Sequence, residues 1–114
     1  MPVDPVFAAD LARDLDPEDY ARVLRLFRQD VVQLSETITR AAAAGDDTGF
    51  RRAAHGLAGA AGAVGAKALE TACRIVMSPR AVIADPNASA REIADLVAAT
   101  LLDITAALAR VEGQ

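Results

Sequence analysis

Apolar residues recur in this chain at steps of three and four, the spacing of a single helix face. Tyr20, Val23, Leu24, Phe27, Val31, Leu34 and Ile38 form one such stripe over roughly six turns, ending near Gly45. It is preceded by Asp16-Pro17-Glu18-Asp19. Asp16 suits an N-cap, Pro17 the first helical position, and the two acids the positive end of the helix dipole. A second helix is predicted from Asp46 or Asp47 to about residue 61, with Phe50, Ala53, Ala54, Leu57, Ala61 and Val64 on its apolar side. A third is predicted over 66–77, carrying Leu69, Ala72, Cys73 and Val76, and Ser78-Pro79 stops it. The last opens on a capping box, Ser89-Ala90-Arg91-Glu92, and continues through Ile93, Leu96, Val97, Leu101, Ile104, Leu108 and Val111.

Upstream, Pro2 and Pro5 bracket a start, and a short helix is expected over 6–15. The breaks fall around Gly45 and Asp46, between Gly62 and Gly65, and over 78–87, with no longer repeat between them. Four substantial helices with short links, apart from the loop before the last, predict an all-α, antiparallel four-helix bundle. The additional N-terminal helix is expected to cover one open end.

Composition agrees with this picture. Residues 1–114 are expected to form one domain, since the chain is too short for two independent cores. Hydrophobic types make up 53% but aromatics only 4%, so alanine and aliphatic side chains must build the core. Alanine favours helix and lets helices approach closely, which argues against a β-sandwich or barrel. The net charge of −4, from 12 basic and 16 acidic residues, gives no basic face for nucleic acid. One cysteine, Cys73, allows no internal disulfide and fits a reducing compartment. The first residues lack the basic and apolar regions of a signal peptide, and no window is long and apolar enough to span a membrane. A cytoplasmic, monomeric domain is expected.

His55 is the only histidine. With Phe50 set at zero on a helical wheel, the apolar residues of its helix lie within roughly 60°, whereas His55 lies near 140°, on the solvent side. Gly56, Gly59 and Gly62 surround it. A glycine inside a helix costs about 1 kcal/mol against alanine, a residue this chain uses freely elsewhere. Gly65 and Gly62 read as parts of the turn to the next helix. Gly56 and Gly59 do not, and their bareness suits close approach of another molecule to the ring. An exposed neutral imidazole is a good nucleophile and can carry a phosphoryl group. No carboxylate and oxyanion hole form a hydrolytic triad with it, and no metal-ligand spacing includes it. The glycine run follows no strand and lacks the lysine of a phosphate-binding loop, so autophosphorylation from a nucleotide is not expected.

The run Ala54-His55-Gly56-Leu57-Ala58-Gly59, followed by Gly62, Val64, Gly65 and Leu69, resembles the signature of histidine-containing phosphotransfer (HPt) domains. That signature has an apolar residue two positions after the histidine, Lys-Gly at three and four, and a glycine at ten. The similarity covers about residues 17–77, and the last helix fits by type. The resemblance implies a phosphocarrier of a multistep two-component relay, taking a phosphoryl group onto His55 from one receiver-domain aspartate and passing it to another. It implies response-regulator receiver domains and a histidine kinase or hybrid kinase as partners, and neither nucleic acid nor membrane. It implies no cofactor in this chain, with Mg²⁺ supplied by the receiver, and an access role for Gly59. One position departs: Ala58 stands where the family has lysine. Arg51 and Arg52, one turn before His55, and Arg74, expected level with it on the next helix, are the cations available to stabilise the phosphoryl group. The alternative is an HPt-like adaptor or inhibitor that binds a kinase or receiver without being phosphorylated.

Overall fold

A computed structural model describes residues 13–78 and 80–113. Four helices run through them: α1 Pro17–Ala44, α2 Asp47–Val64, α3 Lys67–Met77 and α4 Pro86–Glu112. No strand occurs among the described residues. Residues 6–12 of the short helix expected over 6–15 lie outside them, and residues 13 and 14 are helical.

The helix ends follow from local chemistry. The Asp16 carboxylate accepts a hydrogen bond from the Asp19 amide at 2.9 Å, and Pro17 occupies the first turn. Gly45, at φ 71°, ends α1 in the left-handed region that glycine adopts without a Cβ penalty. The Asp46 amide then donates back to the Ala41 carbonyl at 2.9 Å, while its carboxylate caps α2 by accepting from the Gly49 amide. A two-residue link thus closes one helix and opens the next. Gly65, at φ 77°, repeats the device between α2 and α3, with the Ala66 amide donating to the Ala61 carbonyl. Helix α2 accordingly runs to Val64, about one turn beyond the end predicted near 61, because Gly62 stays helical and Gly65 makes the turn.

The last helix begins earlier than expected. Asp85 is its N-cap, accepting from the Ala88 amide at 3.1 Å, and Pro86 follows at the first position. Ser89, predicted as part of a capping box, instead lies within the first turn. The Asp85-Pro86 pair repeats the Asp16-Pro17 signal and takes precedence over the weaker serine.

Each helix packs on its sequence neighbours, and α1 also packs on α4, so the four close into a ring with α3 and α4 touching least. The core takes Tyr20, Leu24, Val31 and Ile38 from α1, Phe50, Leu57 and Val64 from α2, Leu69 and Cys73 from α3, and Ile93, Val97 and Ile104 from α4. Buried alanines, among them Ala53, Ala54 and Ala61, keep the helices close. Arg25 of α1 pairs with Glu112 of α4, joining the start of one long helix to the end of the other. Thr100, the one buried polar residue among those described, donates its hydroxyl to the Leu96 carbonyl at 2.9 Å. No described helix is long and apolar enough to cross a membrane.

Candidate functional site

Helix α2 is anchored by Phe50, Ala53, Ala54, Leu57, Ala61 and Val64, all buried. That anchoring turns the opposite arc, with Thr48, Arg52, His55, Gly59 and Ala63, to solvent, and all five are exposed. His55 therefore stands outward from the middle of a helix whose other side is fixed in the core. Its ring makes no hydrogen bond or ion pair with any described residue. A free imidazole on a rigid backbone is what a nucleophile presented to another molecule requires.

The neighbouring glycines play different parts. A Cβ built on Gly59 would meet nothing within 4 Å, so the surface one turn beyond His55 is open. At Gly56 a Cβ would touch Leu34 of α1 at 3.4 Å, and the glycine lets α1 lie close beside the site. Gly62, read from the sequence as part of the turn, has another function. A Cβ there would come within 2.8 Å of Glu70 Oε2, and the missing side chain makes room for that carboxylate. Glu70 receives Arg74 Nε at 3.1 Å and Nη2 at 2.8 Å, with Lys67 Nζ 3.9 Å away. The hydrogen bond from Arg74 holds its carboxyl below the usual glutamate range.

The three arginines expected near the phosphoryl position separate sharply. The Arg51 side chain is only 21% exposed. Its Nε donates to Asp47, Nη1 to the carbonyls of Val76 and Ser78, and Nη2 to the Ala81 carbonyl at 3.0 Å. This guanidinium caps the C-terminal end of α3, whose own last turn has no glycine, and fastens the following loop to α2. Arg74 is committed to Glu70. Gly62 faces Glu70, and Arg51 faces Val76 and Ser78, an antiparallel register that puts Arg74 near the level of His55, but with its guanidinium turned to Glu70. Arg52 is exposed and makes no hydrogen bond or ion pair with any described residue.

Ala58, where the resemblance calls for lysine, is 2% exposed. Its methyl is packed into the bundle and carries no charge to the surface. Cys73, on the same flank, is buried, and burial pushes its thiol up to about 12, so it stays protonated and unreactive at neutral pH. The sequence pattern shows Leu34 only as part of the α1 stripe and passes over Glu70; the structure sets Leu34 against Gly56 and Glu70 in the space at Gly62. Neither contact gives a local signal, because each is defined by a partner on another helix.

Fold and site together define a class: an all-α bundle that presents one unencumbered histidine on a bare helix face. The family model of the Hpt domain matches residues 22–113, and the chain belongs to that family, whose domains carry phosphoryl groups on histidine in phosphorelay signalling. No curated protein and no solved structure matches the chain.

Proposed function

We propose that this chain is a phosphocarrier that relays a phosphoryl group between receiver-domain aspartates through His55. The observation that carries the reading is the free, exposed imidazole beside the open surface at Gly59, on a helix locked by its buried face. Transfer begins with the lone pair of one ring nitrogen. It forms the N–P bond as the O–P bond of an aspartyl phosphate breaks, and that bond's electron pair leaves on the aspartate carboxylate. The other ring nitrogen keeps its proton. The second transfer reverses these changes on a different aspartate. Such a transition state depends on positioning and on charge stabilisation, so a carrier needs little beyond an accessible nucleophile. The receiver supplies Mg²⁺, and the phosphoryl group originates at a histidine kinase or hybrid kinase rather than from a nucleotide bound here.

Docking is supported by the small residues around His55 and by the edge of α1. Phe27 and Leu34 are half-buried there, and Leu26 is exposed. With Ala63 they offer a modest apolar surface that extends along the bundle from the level of His55.

The competing role is that of an unphosphorylated adaptor, and one experiment separates the two. The chain is incubated with a receiver domain charged by acetyl phosphate and Mg²⁺. A carrier acquires an acid-labile, base-stable phosphate, and His55→Gln folds normally and acquires none. A complex that forms without label on His55 identifies an adaptor.

A further inference from the structure

Phosphoryl transfer to His55 places up to two negative charges on oxygens just outside the ring, and a nearby cation stabilises them. Hydrogen bonding decides which cation is available. Releasing Arg51 would strip the carbonyls of Val76, Ser78 and Ala81 of their charged donor. Releasing Arg74 would leave Glu70 and its space at Gly62 without their principal partner. Ala58 is buried and supplies no cation. Arg52 has none of these commitments. It lies three residues before His55, a spacing that puts two helical side chains about 5–6 Å apart at Cβ. On the wheel it sits across the solvent arc from Ala58, beside the unobstructed surface of Gly59.

We infer that Arg52 is the phosphoryl-binding cation of this site, closing its guanidinium over two phosphoryl oxygens once they arrive at His55. The inference rests on the phosphocarrier reading and deepens it. A guanidinium suits the task because its planar fork binds two oxygens at once and its charge is permanent. The stabilising charge then approaches from the N-terminal turn and the α1 flank, whereas the α3 flank contributes packing alone. Arg52 would be ordered by the phosphoryl group itself, since no described residue holds it beforehand.

The test uses the full chain and phosphoramidate, a small donor that needs no protein partner. Phosphorylation of His55 is followed by ³¹P NMR, and the Arg52 side-chain Nε–H signal is recorded before and after. The wild type labels at His55, and its Arg52 signal shifts on labelling. Arg52→Ala is expected to label about tenfold more slowly with unchanged helix content, a loss of ~1.4 kcal/mol of barrier stabilisation. Arg52→Lys should recover part of that rate. Labelling of Arg52→Ala at the wild-type rate overturns the assignment while leaving the carrier intact, and so does a slowing confined to Arg74→Ala. A wild type that takes no label at His55 removes the carrier reading and this inference with it.

Discussion

Gly59 and Gly62 lie about one turn apart on α2, yet a methyl group would meet open solvent at the first and the Glu70 carboxylate at the second. Replacing glycine by alanine in a helix is worth about 1 kcal/mol. Urea unfolding should therefore show Gly59→Ala stabilised by about that amount and Gly62→Ala gaining little or nothing, because Glu70 must move and loosen its contact with Arg74. Gly59→Leu should also keep or raise stability, by roughly 0.5–1 kcal/mol, while phosphoryl transfer from a charged receiver falls about tenfold or more. Unchanged transfer in that variant would mean that Gly59 does not serve access. Glu70 adds a pH dependence. Its carboxyl is held below its ordinary range by Arg74, so its contribution to stability is present above that range and is lost as pH falls through the folded value. Wild type and Glu70→Gln should differ in stability at neutral pH and converge in acid.

The helices themselves show what local sequence can and cannot reveal. Asp16-Pro17 is a start signal legible in four residues, and the structure uses it as read. The same pair at Asp85-Pro86 was overshadowed by the Ser89 to Glu92 pattern one turn later. The displaced start leaves the apolar face unchanged, since Ile93, Val97 and Ile104 keep their spacing, and so periodicity carried no warning. Asp85→Ala should cost about 1 kcal/mol and Ser89→Ala close to nothing, as measured by thermal or urea unfolding. The role of Arg51 was not legible at all. Its carbonyl partners lie 25 to 30 residues further on, and only the fold brings them to it. Arg51→Ala should lower stability by about 2–4 kcal/mol, because it removes a half-buried charged donor from several carbonyls. Ala58→Lys, which would install the lysine of the family pattern, should destabilise by roughly 1–3 kcal/mol through crowding against α3.

The ring of four helices follows from stripes, short links and a core rich in alanine, all of which the linear pattern contains. The exposure of His55 was legible for the same reason: one histidine, set opposite an apolar stripe, must face outward when the stripe is buried. The arrangement of charge around it required the third dimension, since it depends on which arginines the neighbouring helices have already engaged. What results is a scaffold that holds His55 at its surface, the placement that the proposed relay requires. The most direct test is a chase. The chain labelled on His55 is separated from its donor and mixed with a second, unphosphorylated receiver domain and Mg²⁺. The relay account predicts that phosphate leaves His55 and appears on the receiver's aspartate, with none transferred from a His55→Gln preparation carried through the same steps. Label that stays on this chain, or that moves equally well without His55, would contradict it.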